Sequence, residues 1–281
     1  MQVAPVLAKD LVPNIVADPD DLFSLPGCRV IKDQQKIKVA RINISIQDKA
    51  KTIYVKRYNA YSWRYRVGSW FQSSGAIKSL KGAAVLAEAG IPTARCLAAI
   101  ETRSWGMLQR SFFLSQEIPN SKTADAYWCE ELVKTKGHAG LTRRRLFLND
   151  IGALFSLLHR HEIYHDDLKD ANILVGQEAG EETPRFYLLD VQGVRRYRKL
   201  SRRRRIKNIV QLYRTLGRYL RRPDQVRFLK SYLGPLFEQK KGKREWVTEV
   251  LRQSNKVDAQ RALKHRASNL ADDASREPRL L

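Results

Sequence analysis

The chain has 281 residues, enough for one two-lobed domain or two small ones with a sizeable core. A hydrophobic fraction of 43% with nine Phe and five Trp excludes a disordered chain, and no apolar run reaches the roughly 18 residues that a membrane-spanning helix needs. Lys and Arg number 52 against 29 acids, a net charge of +23, which attracts nucleic acid, anionic lipid headgroups or phosphorylated glycans without choosing among them.

Residues 1–25 contain Pro5, Pro13 and Pro19 and read as an extended or partly ordered lead-in. They lack a basic segment followed by a long apolar one, so no secretory leader is expected. Residues 29–32 and 36–44 alternate in polarity and predict two strands joined by a turn at 33–35; residues 53–58 predict a third. Residues 76–89 are rich in Ala and Leu, with Ile77, Leu80 and Ala84 at helical spacing, and Gly90-Ile91-Pro92 supplies a helix stop. Strand-like runs follow at 97–100 and 107–114, and 117–121, with Pro119, breaks the pattern where a hinge is expected. Leu146, Phe147, Ile151, Leu154, Phe155 and Leu158 predict a helix over 143–160. Ile206, Ile209, Val210, Leu212, Tyr213, Leu216 and Leu220 predict another over 206–220, prefaced by four arginines at 202–205. A helix over 245–265 is expected last, with 271–281 frayed. Cys28, Cys96 and Cys129 form no C-x-x-C pair; they are expected to be buried thiols in a reducing cytosol, with neither a zinc site nor a disulfide framework.

The densest chemistry is at 165–172, His165-Asp166-Asp167-Leu168-Lys169-Asp170-Ala171-Asn172, which reads H-x-D-L-K-x-x-N and runs into the apolar Ile173-Leu174-Val175. Phosphoryl transfer needs a carboxylate to orient the attacking hydroxyl and, a few residues on, an oxygen ligand for a magnesium ion. Asp167 and Asn172 have those types at that spacing. After a hairpin loop expected at 177–184, Leu188-Leu189-Asp190-Val191-Gln192-Gly193 supplies D-x-x-G, with Asp190 as a second metal ligand. Lys56 on the third strand stands where a kinase holds nucleotide phosphates, and Glu117 opens the hinge beside the expected nucleotide site. Lys169 is placed to neutralise charge on a transferring phosphoryl group, with a solvated loop lysine as its plain alternative. His165 is expected to pack the loop rather than to shuttle protons. These parts, in this order, predict an α+β, two-lobed protein-kinase-like fold. A lead-in over 1–27 would precede a small antiparallel β-rich N-lobe over 28–118 and a larger helical C-lobe over 119–268, with a flexible tail over 269–281.

Tyr54-Val55-Lys56-Arg57-Tyr58, Gly90-Ile91-Pro92-Thr93, the 164–175 stretch and Leu188-Leu189-Asp190-Val191-Gln192 together resemble the bacterial lipopolysaccharide kinase family, which includes Kdo and inner-core heptose kinases. The similarity runs over about residues 28–220. It implies transfer of the γ-phosphate of ATP, with Mg2+, to a sugar hydroxyl of the lipopolysaccharide inner core. The work would take place at the cytoplasmic face of the inner membrane of a Gram-negative bacterium, in peripheral contact with an anionic bilayer. The acceptor would be an anionic glycolipid, for which a charge of +23 is physically sensible.

Three departures accompany the resemblance. The turn near Asp33 to Lys36 has no glycine to approach phosphates closely. Glu88, the only carboxylate on the 76–89 helix, lies in its last turn and is not expected to pair with Lys56. Asn208 stands where such helices often carry an acid, leaving open how the catalytic loop is braced. The alternatives are a small-molecule phosphotransferase, a protein kinase, or a non-catalytic scaffold that binds anionic membrane or nucleic acid. The first would suit an acidic substrate patch rather than this basic chain. The second would show an A-P-E ending, where the chain instead runs Val194-Arg195-Arg196-Tyr197. A scaffold has no need of the whole set Lys56, Asp167, Asn172 and Asp190, and no nucleic-acid-binding signature is present. The oligomeric state is not legible.

Overall fold

A computed structural model describes residues 2–3, 18–46, 49–60, 62–176 and 184–276. Strand β1 (Arg29–Gln34) turns through Gln35 and Lys36 into β2 (Ile37–Ile46), which pairs along its length with β3 (Lys49–Asn59). The turn therefore falls later than the expected 33–35, because Gln34 pairs with Ile37 and Asp33 with Lys38, whose side chains form an ion pair at 3.1 Å. Helices α1 (Trp63–Gly68) and α2 (Gly75–Glu88) follow, then β4 (Cys96–Ser104) and β5 (Met107–Gln116). The five strands form one antiparallel sheet in the order β4-β5-β3-β2-β1, with the short strand Gln2–Val3 on the free edge of β4.

Period-two alternation divides this sheet into a packing face and a chemical face. Ala40, Ile42, Ile53, Val55, Phe112 and Leu114 are buried together with Leu22 of the short turn Pro19–Phe23. Their neighbours Val39, Arg41, Tyr54, Lys56, Phe113 and Ser115 line a cleft on the other face. Helix α2 packs across that face. The Ser74 hydroxyl caps its first turn by accepting from the Ile77 N–H at 3.2 Å. Its last turn closes as Gly90, at φ +67°, donates to Ala87 and Ile91 donates to Leu86, both through backbone N–H groups.

The segment 117–121 leads to β6 (Ser121–Thr123), α3 (Ala124–Tyr127) and α4 (Gly137–Arg160), then β7 (Ile163–His165), β8 (Ile173–Gly176), β9 (Arg185–Leu188) and β10 (Val194–Arg196). Strands order β6-β8-β9 in one small sheet and β7-β10 in another. Helices α5 (Arg202–Tyr213), α6 (Arg222–Leu233) and α7 (Lys240–Arg276) complete the chain. On α4, Leu148, Ile151, Phe155 and Leu158 are fully buried at the spacing of one helical face.

Four expectations need correction. Helix α4 starts at Gly137, not 143, because its first two turns are largely exposed and carry no apolar stripe. The helix expected over 206–220 ends at Tyr213; Leu216 and Leu220 prolong the apolar period because the short turn at Leu216–Arg218 packs into the same core. Helix α7 is longer than 245–265 and takes in part of the tail expected to fray, whose last residues lie outside the described ones. All three cysteines are half-buried free thiols rather than buried ones, since each sits at the margin of a core cluster. Most of the loop expected at 177–184 lies outside the described residues, but β8 and β9 pair as its hairpin requires, Gly176 opposite Arg185.

Candidate active site

The chemical face of the N-terminal sheet and the loops after β7 and β9 enclose a cleft of about 720 Å³. Lys56, Glu117, Asn172 and Asp190 line it, and Asp167 and Lys169 join it through Asn172. All six residues singled out from the sequence are thus brought to one place, although Lys56 and Asp190 are 134 positions apart.

Lys56 Nζ donates to Asp190 Oδ1 at 2.6 Å. Burial opposes the Lys56 ammonium, but the adjacent Tyr58 hydroxyl and Asp190 carboxylate outweigh it and hold its pKa above the ordinary lysine value. Burial likewise opposes the Asp190 carboxylate, and Lys56 outweighs it, so this pKa lies below the usual carboxylate range. Both groups are charged at neutral pH. The ammonium also lies 5.4 Å from the Tyr58 ring centroid, and the Tyr58 and Ser79 hydroxyls are hydrogen-bonded at 2.9 Å. Ser79 on α2 lines the cleft beside Tyr58. Glu88 instead pairs with Arg196 at 2.8 Å, away from Lys56. Ser79 carries no sequence signal that marks it as a site residue, and Tyr58 stands in the Tyr54–Tyr58 motif without being singled out.

Asp190 sits at φ +54°, ψ +47°, a left-handed conformation that Asp tolerates better than most residues and that recurs at active sites. The glycine three positions on has a steric reason. A Cβ at Gly193 would stand 1.7 Å from Asp166 Oδ1, so a larger residue there requires the exposed Asp166 side chain to move aside.

The Asp167 carboxylate is held through Oδ2, which accepts from Lys169 Nζ at 2.7 Å and from Asn172 Nδ2 at 3.1 Å. Asn172 Nδ2 also donates to the Asp167 carbonyl at 2.7 Å, which leaves the Asn172 side-chain oxygen as its cation-binding atom. Among the described residues no group of three or more His, Cys, Asp and Glu gathers that could hold a metal ion. Asn172 and Asp190 therefore supply an oxygen pair rather than a protein cage. That donor set fits magnesium, which keeps several waters and takes its remaining ligands from phosphates.

A polar relay braces the loop. His165 is fully buried; its Nε2–H donates to the Leu189 carbonyl at 2.8 Å while Nδ1 accepts from the Asp167 N–H at 3.2 Å, and burial pushes its pKa down. These two bonds assign the neutral tautomer and leave no proton to shuttle. Asn208 on α5 donates to the His165 carbonyl and to Gln211 Oε1, the latter at 2.8 Å. Gln211 in turn donates to the Asp166 carbonyl and accepts from the Leu168 N–H at 3.1 Å. Behind them, His159 Nε2 donates to Asn208 Oδ1 at 3.2 Å and Nδ1 accepts from the Tyr232 hydroxyl at 2.9 Å. Two amides, at i and i+3 of α5, do what a carboxylate does in related folds. Sequence reading singled out Asn208 only as a departure and missed Gln211 and the role of His159.

At the other end of the cleft, Arg41 Nε and Nη2 clasp the Glu117 carboxylate at 2.8 and 3.1 Å, and the Tyr54 hydroxyl donates to it at 3.3 Å. The Arg41 hydrogen bonds hold the Glu117 carboxyl below its ordinary range. The carboxylate is thus already engaged, and it closes the cleft beside the segment that joins the lobes.

A β-rich lobe over a helical one, with a lysine–aspartate pair and a loop aspartate–asparagine pair facing each other across a cleft, defines a protein-kinase-like fold. Residues 35–232, about 70% of the chain, match the lipopolysaccharide kinase (Kdo/WaaP) family, and the chain belongs to that family. It is accordingly a phosphotransferase of lipopolysaccharide biosynthesis. Among solved structures, one described as "WaaP in complex with acyl carrier protein" is similar, with a TM-score of 0.65 over 91% of this chain and 99% of that one at 18% identity. At that identity the likeness speaks for the fold alone. No curated protein matches significantly.

Proposed function

We propose that this protein transfers the γ-phosphate of ATP to a sugar hydroxyl, of Kdo or heptose, in the lipopolysaccharide inner core, working at the cytoplasmic face of the inner membrane. The observation that carries the reading is the cleft lined by Lys56, Asn172 and Asp190, with Lys56 bonded to Asp190 and Asn172 bonded to Asp167. The Lys56 ammonium holds nucleotide phosphates. Asn172 and Asp190 would hold magnesium through their side-chain oxygens, and the ion would supply positive charge to offset that of the phosphates. Asp167 orients the sugar hydroxyl and accepts its proton as the oxygen attacks phosphorus and the bond to the leaving ADP oxygen breaks. Lys169, bonded to Asp167 at 2.7 Å, stands beside the transferring group and screens its charge. Glu117, kept in place by Arg41, bounds the end of the cleft where the base lies. The basic excess favours an anionic acceptor over the cationic substrates of small-molecule phosphotransferases.

The test is transfer of labelled γ-phosphate from magnesium ATP into Gram-negative membrane extract, with products separated into lipopolysaccharide, protein and small molecules. Label in lipopolysaccharide is expected, falling about a thousandfold in Asp167→Ala. Undiminished transfer by that variant would remove Asp167 from its role. Label confined to protein or small molecules would remove the acceptor.

A further inference from the structure

We propose that α1, the turn after it and the tip of the β4–β5 hairpin form an aromatic platform by which this protein rests on an anionic lipid bilayer. The proposal rests on the glycolipid-acceptor reading and deepens it by naming the surface that meets the membrane.

Three of the five tryptophans are on the outside, all of them here: Trp63 is 70% exposed, Trp70 55% and Trp105 92%, and Phe71 beside them is 90% exposed. Single exposed apolar residues are ordinary, but four large aromatics on adjoining segments are a patch, and such patches mark interaction sites. The two segments are built together. Trp70 Nε1 donates to the Trp105 carbonyl at 3.3 Å. Arg103 Nη1 donates to the carbonyls of Ser69 at 3.2 Å and Gly106 at 2.9 Å, and the Ser69 hydroxyl accepts from the Leu108 N–H at 2.8 Å. These bonds hold the aromatics outward on a fixed frame.

The hairpin tip adds a second sign. Trp105 has φ +53° and precedes Gly106 at φ +76°. Asn, Asp or Gly ordinarily occupies the first of these positions, and a bulky side chain there is strained. Trp105 is almost wholly exposed, so packing within the fold does not compensate that strain. A contact outside the chain does.

Charge selects the occupant. Between Asp48 and Glu88 the sequence has no acidic residue. The platform carries exposed Arg64 and Arg66, with the Arg64 guanidinium 5.8 Å from the Trp63 ring centroid. Glu101, the nearest acid on the hairpin, is already bonded by Arg103 at 3.0 Å. Tryptophan beside arginine, with no free carboxylate, suits the headgroup layer of an anionic bilayer: the indoles enter the interface and the guanidinium groups meet lipid phosphates. Position fits as well. Asn59, at the end of β3, donates to the carbonyls of Lys36 at 3.0 Å and Gln35 at 2.9 Å, so α1 begins just beyond the end of the sheet that carries the β1–β2 turn. That turn is the one a kinase fold places over the nucleotide phosphates.

The experiment is flotation of the full chain with unilamellar vesicles of phosphatidylcholine alone or with about one-third phosphatidylglycerol. The flotation arm uses neither nucleotide nor acceptor, so it fails independently of the kinase reading. Binding to the anionic vesicles is expected, and the triple variant Trp63→Ser, Phe71→Ser, Trp105→Asn should weaken it at least about tenfold. The variant should retain transfer to a deacylated, water-soluble acceptor. Brominated acyl chains should quench wild-type tryptophan fluorescence and not that of the variant Trp63→Ser, Trp70→Phe, Trp105→Asn, whose remaining Trp128 and Trp246 are buried. If the triple variant does not fold, Phe71→Ser and Trp105→Asn are read singly, each with a smaller loss expected. Unchanged flotation of the folded variants would overturn the proposal. So would loss only in Lys240→Gln, Lys241→Gln, Arg244→Gln on α7, or a wild-type dimer that the aromatic substitutions convert to monomer.

Discussion

Lys56 is one of many lysines, and its neighbours decide what it does. On β3 its side chain points away from Val55 and into the cleft, where Asp190 and Tyr58 keep it charged despite burial. The same logic governs two histidines that do no chemistry. His159 is buried between Tyr232 and Asn208, and burial pushes its pKa down to about 4 against an opposing bond to Asn208. The fold thus holds it neutral, whereas an unfolded chain takes up a proton near its ordinary pKa of about 6.5. The linked stability is fully present above about pH 6.5 and is lost as pH falls towards 4. From this residue alone, unfolding free energy should drop by about 2 kcal/mol between pH 7.5 and 5. Denaturant titrations at the two pH values should show a shallower drop for His159→Gln than for wild type. An equal drop would mean that His159 is not held neutral. The sequence placed this histidine at a helix end, where it looks unremarkable; only the packing of α4, α5 and α6 makes it part of the loop's support.

Elements carry the next level of the design. The stop of helix α2 at Gly90 was legible in the sequence, and its start at Ser74 came from the structure, although both are local chemistry between residues a few positions apart. Its contact with the Asp190 segment is not readable. A Cβ at Gly82 would lie 1.9 Å from the Val191 carbonyl oxygen and 3.2 Å from Val194 Cβ, so helix and loop are in backbone contact there. In an exposed helix Gly→Ala would gain about 1 kcal/mol. Here overpacking dominates: Gly82→Ala should destabilise the protein by about 1–3 kcal/mol and lower kcat by displacing the segment that carries Asp190. A variant that melts no lower than wild type and turns over normally would show the contact to be loose. On α5 the lesson concerns residue type. Asn208 signalled a departure from an acidic brace, yet with Gln211 one turn on it reaches the backbone of His165, Asp166 and Leu168. Amides both donate and accept, so two of them satisfy donors and acceptors that a carboxylate could only half satisfy.

At the scale of the molecule, the two lobes are joined behind the cleft as well as through the segment 117–121. The Pro92 carbonyl accepts from the Leu188 N–H at 2.9 Å, and the Thr93 hydroxyl donates to the Leu188 carbonyl at 2.6 Å. This gives the Gly90-Ile91-Pro92-Thr93 stretch a physical purpose: it ties the linker after α2 to the strand that ends two residues before Asp190. Thr93→Val keeps the shape and removes the donor. It should cost about 1 kcal/mol and, in the proposed transfer reaction, raise KM for the nucleotide more than it lowers kcat, read from thermal unfolding and steady-state kinetics. Unchanged stability and KM would mean that the tie does not hold the cleft. The five main strands of the N-terminal sheet, helices α2, α4, α5 and α7, the H-x-D-L-K-x-x-N loop and the D-x-x-G turn were legible in the sequence alone, whereas α1, α3, α6 and the short strand β6 were not. The legible parts are written in spacings of two, three or four residues, and in loop motifs whose members are nearly adjacent. What only the tertiary structure decided is which distant groups meet: Asp190 rather than Glu88 beside Lys56, two amides and a histidine under the loop, and an outward-facing aromatic platform assembled from two separate segments. Those pairings are settled by burial and by competition for hydrogen-bond partners across the whole chain, and no short stretch of sequence contains that information.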